Sequence, residues 1–199
     1  MFVAIEGIDG SGKSTQLPIL QSKLVLAGDV GRKPNVVKFP VYDSPTGKVI
    51  EKLLKTGLKS PESCLLFQSL MAVNRQEYFS LEYDPTAITL ADRYTLSGLV
   101  YGLAQGLDKS WLSAINGGLP EPHVTIFLDV PPKHSFQRRP DRTDILESDP
   151  HFLQKIYDLY RENLPPGTFI IDGTRPVEWV TGEILDKLLL VNDSLTYRF

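Results

Sequence analysis

The stretch Gly7-Ile8-Asp9-Gly10-Ser11-Gly12-Lys13-Ser14 follows an apolar run at residues 1–5. It has the form G-x-x-x-x-G-K-S, which is typical of a loop that binds phosphate groups. The glycines let the backbone curl tightly, so that main-chain N–H groups point inward. Lys13 adds a positive charge, and a helix predicted over residues 14 to about 27 adds the partial positive charge of its N-terminus. The stretch therefore predicts a strand, a nucleotide-phosphate loop and a helix, in that order.

The composition indicates one globular domain over residues 1–199. A net charge of −3 and a pI near 5.6 argue against binding to nucleic acid, which normally requires a basic excess. The single Cys64 excludes an internal disulfide and favours a reducing compartment, so we expect a cytoplasmic protein. No apolar run reaches the roughly twenty residues of a membrane helix. The start lacks a basic leader, and we expect no signal peptide.

Four further short runs rich in branched residues alternate with helical patterns, at residues 35–39, 87–90, 124–130 and 168–171. Alternating strands and helices indicate an α/β fold with a parallel sheet covered on both faces. Together with the first run they predict five parallel strands. The tail at 191–199 has little pattern, and we expect it to run over the surface.

The ends of these strands are the first places to search for a site, because ligands of open α/β sheets bind beyond the carboxyl ends of the strands. Asp92-Arg93-Tyr94 follows one predicted strand. An acid there can reach a magnesium ion, and an arginine can bridge phosphates. Arg93, Ser97 and Tyr101 are spaced by four, which predicts one edge of a helix facing the cleft. The alternative is a capping aspartate with an exposed arginine.

A long helix is predicted to begin at Ser60-Pro61-Glu62, where Ser60 is a good cap and Pro61 occupies the tolerated first position. Phe67, Met71 and Arg75 fall at i, i+4 and i+8 of this helix and share one face. An apolar edge that ends in a guanidinium suits a flat base with polar edges. The alternative is that the apolar pair is core and Arg75 a solvated charge.

Residues 131–150 are polar and include Arg138, Arg139 and Arg142. This composition predicts a mobile lid that closes basic groups over transferring phosphates. A charged surface loop is the simpler alternative.

Taken in order, these pieces resemble the thymidylate kinase family over nearly the whole chain. The resemblance rests on the following motifs: residues 7–16, Phe39-Pro40, Asn74-Arg75, Asp92-Arg93-Tyr94 with Ser97-Gly98, Leu128-Asp129-Val130, and the arginine-rich lid. It implies a three-layer P-loop NTPase fold with a mobile lid, and a homodimer. It also implies transfer of the γ-phosphoryl group of ATP to dTMP with Mg²⁺.

The resemblance assigns roles to individual residues. The residues expected to bind ATP are Gly7, Ile8, Asp9, Gly10, Ser11, Gly12, Lys13, Ser14, Thr15 and Arg138, the last by stacking on adenine. Those expected to bind the acceptor are Asp9, Phe39, Pro40, Tyr42, Met71, Arg75, Arg93, Gly98 and Tyr101. Ser14 and Asp92 are expected to hold Mg²⁺. Lys13, Asp9, Arg93, Arg139 and Arg142 are expected to act in catalysis.

Three positions depart from the pattern of relatives. Gly10 stands where some relatives carry an arginine, so the missing charge is expected from Arg139 or Arg142 in the lid. Tyr42 stands where arginine is frequent, and Met71 replaces an aromatic residue that stacks on the base. A thioether packs on a ring more softly than a phenyl group does.

Two other functions remain open at this point. One is a kinase for another pyrimidine deoxynucleotide or for a free nucleoside, which would have no use for Arg93 as a phosphate clamp. The other is a nucleotide-binding switch, although the Asn-Lys-x-Asp motif of guanine-reading switches does not occur.

Overall fold

The computed structural model describes residues 1–26, 32–58, 60–138, 149–191 and 195–197, and for residues 25, 26 and 195–197 it describes the backbone alone. The strands are β1 (Phe2–Glu6), β2 (Leu24–Leu26), β3 (Asn35–Lys38), β4 (Thr89–Asp92), β5 (Val124–Asp129), β6 (Phe169–Asp172) and β7 (Leu195–Tyr197). The helices are α1 (Lys13–Lys23), α2 (Pro45–Thr56), α3 (Pro61–Leu81), α4 (Thr95–Ala104), α5 (Lys109–Ile115), α6 (Pro132–Arg138), α7 (Pro150–Asn163) and α8 (Val177–Val191).

The main sheet has five strands in the order β3-β4-β1-β5-β6, and every neighbouring pair is parallel. This confirms the predicted five-stranded parallel sheet. β1 lies at its centre, with Ile5 beside Asp92 of β4 on one side and beside Ile126 of β5 on the other. Asp92 is the last residue of β4 and does not follow the strand, so the sheet fixes its backbone.

Both faces of the sheet are covered by helices. Successive residues of β1 point to opposite faces, and all five are buried. Val3 and Ile5 belong to a core that includes Leu20 of α1 and Ile184 of α8. On the other face Phe2 makes edge contacts with the rings of Phe79, Tyr83 and Tyr94. Phe127 of β5 packs against the buried residues of α7, and its ring contacts the ring of Tyr160. The three-layer α/β architecture is therefore as expected.

The first helix ends earlier than predicted. α1 stops at Lys23, and Leu24 is already extended, with φ −73° and ψ 134°. Residues 24–26 form β2, which pairs antiparallel with β7 so that Leu24 lies opposite Tyr197. No strand was predicted for residues 195–197 of the tail, which form β7. The aliphatic run Leu24-Val25-Leu26 suits a strand, but its partner lies at the far end of the chain, where a local pattern cannot reveal it.

Candidate active site

The phosphate loop lies between β1 and α1 and has the predicted glycine geometry. Gly7, Gly10 and Gly12 have φ values of 147°, 78° and 103°, which side chains rarely adopt. A Cβ at Gly7 would lie 3.0 Å from the carbonyl oxygen of Leu128, so the loop packs directly against the backbone of β5. Lys13 is buried, and its ammonium donates to the carbonyl oxygens of Gly7 (2.9 Å) and Ile8 (3.0 Å). The loop therefore holds its lysine in place from within.

A cavity of about 400 Å³ opens in front of this loop. We call it the donor cavity. It is lined by residues 9–16 together with Lys38, Asp92, Arg93, Arg138, Gly173, Arg175, Val177 and Val180. Arg138 spans its edge, because NH2 donates to the carbonyl oxygen of Gly173 at 2.8 Å. Gly7 and Ile8, which were predicted to bind ATP, do not line this cavity; their carbonyl oxygens accept hydrogen bonds from Lys13.

A second cavity, of about 140 Å³, lies beside the first, and we call it the acceptor cavity. All nine residues predicted to bind the acceptor line it, together with Lys38, Leu54, Phe67, Gln68 and Ser97. Lys38, Leu54 and Gln68 had no predicted role. Lys38 directly precedes Phe39, and Gln68 directly follows Phe67. Their position next to predicted site residues was therefore the signal that could have identified them. Asp9, Lys38 and Arg93 line both cavities.

Arg75 is buried at the acceptor cavity and is only 1% exposed. Its NH1 donates to Asn116 Oδ1 at 3.0 Å, whereas Nε and NH2 have no hydrogen-bond partner within the described residues. Burial lowers the pKa of this guanidinium to about 10, and the charge of Glu6 opposes the shift. Arg75 therefore keeps its proton at neutral pH. The alternative of a solvated surface charge is wrong, and two donors remain for a ligand.

Gly98 explains how Arg75 fits beside α4. A Cβ at position 98 would lie 2.9 Å from NH2 and 3.1 Å from NH1 of Arg75. Because Gly98 has no side chain, the guanidinium of Arg75 can pack directly against α4.

Arg93 lies in the turn before α4, which begins at Thr95, so its predicted position within the helix is wrong, although Arg93, Ser97 and Tyr101 all line the acceptor cavity as expected. Its φ of 67° is left-handed, and this turns the side chain back toward the phosphate loop. NH1 donates to the carbonyl oxygen of Gly7 at 3.1 Å and to Tyr160 Oη at 3.3 Å. The guanidinium carbon lies 5.1 Å from the centre of the Tyr101 ring. Arg93 is thus held between the two cavities.

Glu6, which sequence analysis did not select, binds the residues that flank Arg93 and the start of α4. It is fully buried, and its Oε1 accepts hydrogen bonds from the backbone N–H of Tyr94 (2.8 Å) and of Ser97 (3.3 Å). Its Oε2 accepts from the hydroxyls of Tyr160 (3.2 Å) and Ser97. The carboxylate therefore ties β1 to α4 and α7. A carboxylate between an apolar strand and the phosphate loop was the signal that could have found it.

A sequence model of the family described as thymidylate kinase matches residues 5–184. The chain belongs to the thymidylate kinase family. It is 31% identical to the thymidylate kinase of Schizosaccharomyces pombe over 198 residues, which cover 96% of this chain and 92% of that protein. It is 32% identical to a probable thymidylate kinase of Pyrobaculum aerophilum, covering 94% of this chain and 95% of that protein.

Solved structures give the same family. The structure of thymidylate kinase from Candida albicans matches with a TM-score of 0.81 and 26% identity, covering 100% of this chain and 96% of that one. That enzyme is described as having a broad substrate specificity and a novel structural element. The fold of the whole chain is therefore similar to that of a thymidylate kinase.

The lid predicted at residues 131–150 is described only in part. Its residues 132–138 form α6, in which Ser135 is buried and its hydroxyl donates to the carbonyl oxygen of Asp9. Arg139 and Arg142 lie outside the described residues, so their predicted roles remain predictions. Among the helices that are described, none is long and apolar enough to cross a bilayer.

We expect the buried Glu6 to dominate the stability of this site. Glu6→Ala leaves the backbone N–H groups of Tyr94 and Ser97 without their acceptor, and it removes the negative charge that favours the charged form of Arg75. Removing one partner from a buried charged network typically costs about 3–5 kcal/mol of unfolding free energy. Urea denaturation measures the loss. The exposed Glu162→Ala in α7 serves as the control and should change the free energy by less than about 0.5 kcal/mol. Equal losses in the two variants would contradict the role of Glu6.

Proposed function

We propose that the protein transfers the γ-phosphoryl group of ATP to dTMP, giving ADP and dTDP for dTTP synthesis. The observation that carries this proposal is Arg75, a buried guanidinium at the acceptor cavity whose Nε and NH2 have no hydrogen-bond partner among the described residues. A flat base that carries carbonyl oxygens supplies the acceptors that these donors lack. The phosphate loop and its cavity lie directly beside this pocket, where a triphosphate donor fits.

Phosphoryl transfer asks a protein chiefly for positioning and charge stabilisation. In the proposed complex the loop amides and Lys13 hold the donor phosphates, so the ammonium exchanges the carbonyls of Gly7 and Ile8 for phosphate oxygens. Arg138 stacks on the adenine at the cavity edge. Arg93, held at the boundary of the two cavities, binds the phosphate of dTMP and aligns it with the γ-phosphate.

In the proposed complex the acceptor base is held by apolar contacts and by hydrogen bonds from Arg75. Phe39, Met71 and Tyr101 line the acceptor cavity and supply apolar contact with the base and sugar. Arg75 donates to the base from a fixed position. Pro40 follows a cis peptide bond, and with Tyr42 it continues the wall beyond β3.

We infer that Mg²⁺ accompanies ATP, bound by the Ser14 hydroxyl and by Asp92 directly or through water. The residues fit this ion, because Asp92 is buried at the donor cavity and its Oδ1 has no hydrogen-bond partner among the described residues. Mg²⁺ in nucleotide sites is typically held by one or two protein groups together with phosphates and water. When bound, the ion neutralises charge on the phosphate oxygens.

A homodimer and a cytoplasmic location are further parts of the proposal, as is a single domain. The family resemblance motivates the dimer. Leu66 and Val73, seven residues apart on α3, are each 51% exposed and offer an apolar face. Sedimentation equilibrium measures the state of assembly.

A coupled assay of ADP release with dTMP, dUMP, dCMP and thymidine as acceptors tests the main proposal. We expect release that depends on dTMP and is absent with thymidine, because Arg93 needs a phosphate to bind. Release with thymidine would instead indicate a nucleoside kinase. Slow hydrolysis that no monophosphate stimulates would favour a nucleotide switch.

Gly98→Ala tests the position of Arg75. The new methyl group must displace the guanidinium by several tenths of an ångström, while the helix itself gains stability of about 0.5–1 kcal/mol from alanine. We expect the KM for dTMP to rise by about tenfold, since small misplacements in a site are costly, with the KM for ATP unchanged. Gly182→Ala in α8 is the control, because a Cβ there meets nothing within 4 Å. An unchanged KM for dTMP would contradict the placement of Arg75.

Arg139→Ala and Arg142→Ala test the lid. Because Gly10 leaves the phosphate loop without an arginine, we expect at least one of these changes to lower kcat by about 10³-fold, as for other arginines that reach a transferring phosphoryl group. Steady-state kinetics measures the effect. Full turnover in both variants would show that the lid does not supply the charge.

A further inference from the structure

Lys38 has no role in the reaction as proposed above. It is the last residue of β3, it lies beside Asp92 of β4 in the sheet, and its side chain is exposed. It lines both the donor and the acceptor cavity, which among the lining residues is true otherwise only of Asp9 and Arg93. Lys38 therefore stands at the boundary that a transferred phosphoryl group must cross.

This boundary needs positive charge. The reaction brings the phosphate of one nucleotide against the terminal phosphate of another, and like charges at such short range repel strongly in a partly enclosed site. Asp9 adds a negative charge there. Lys13 lines only the donor cavity, and Arg75 lines only the acceptor cavity. Among the lining residues, Arg93 and Lys38 are the cations common to both.

The two cations are held differently. Arg93 is fixed by the carbonyl of Gly7 and the hydroxyl of Tyr160. For Lys38, no carboxylate of the described residues lies within ion-pair distance, so its ammonium is available to an incoming anion. The neighbouring Tyr42 offers only a neutral phenol to the same cavity. Lys38 is therefore the cation that β3 contributes at its carboxyl end.

We propose that Lys38 binds a phosphate oxygen of the acceptor on the side that faces the donor, and keeps contact with the phosphoryl group as it transfers. Lys38 and Arg93 then approach the acceptor phosphate from β3 and from the turn after β4, respectively. This inference rests on the proposed function, since it concerns the same acceptor.

The variants Lys38→Met and Lys38→Arg test the proposal, with Lys48→Met on α2 as a control that removes an exposed lysine outside both cavities. Calorimetric titration gives the dissociation constants of dTMP and thymidine, and steady-state assays give kcat and KM. For Lys38→Met we expect kcat/KM for dTMP to fall by about 10- to 100-fold, the usual range for a lost hydrogen bond to a charged group. Affinity for dTMP should fall, whereas affinity for thymidine should stay within about twofold of the wild type.

Lys38→Arg should retain affinity for dTMP within a few-fold, and Lys48→Met should match the wild type. Thermal unfolding confirms that the exposed substitutions leave the fold intact. Lys38→Met with unchanged kcat/KM would overturn the proposal. Equal losses of dTMP and thymidine affinity would overturn it too, because packing and not phosphate binding would then be responsible. These outcomes differ from failure of the proposed function, in which the wild type itself shows no release of ADP that depends on dTMP.

Discussion

The buried carboxylate of Glu6 is the constraint on which the site depends. A charge removed from water is tolerated only when it is paired and hydrogen-bonded, and Glu6 accepts bonds from two backbone N–H groups and two hydroxyls. These donors come from the start of α4 and from α7, so the strand that leads into the phosphate loop also fixes the turn that carries Arg93. The two halves of the site are therefore built on one charged group.

The same carboxylate supports the acceptor pocket electrostatically. Arg75 is fully buried, which lowers the pKa of its guanidinium, and the charge of Glu6 counteracts that shift. The pocket thus keeps a cation where the acceptor base is expected, while Glu6 itself does not line the acceptor cavity. Asn116 completes the support by accepting from NH1, and Nε and NH2 have no hydrogen-bond partner among the described residues.

The sequence predicted the features that depend on local pattern or on parallel topology. Apolar runs such as residues 124–130 gave the strands of the sheet, and the rule that ligands bind at carboxyl ends brought Asp9, Phe39 and Arg93 to one site. Contacts between distant residues escaped prediction. Glu6 and Tyr160 meet across 154 residues, and β2 pairs with a strand at the far end of the chain. The left-handed backbone of Arg93 likewise follows from tertiary contacts and not from its spacing to Ser97.

The geometry also separates two kinds of selectivity in the proposed reaction. A buried donor such as Arg75 penalises any base that brings another donor, so cytosine, with an amino group in place of a carbonyl, is rejected strongly. Thymine and uracil present the same carbonyls, and Arg75 does not distinguish them. That choice depends on the methyl group alone, and one methyl in an apolar pocket is worth only about 1–3 kcal/mol. Met71 lines this pocket, and because a flexible thioether adapts to either base, we expect the preference for dTMP over dUMP to lie at the lower end of that range.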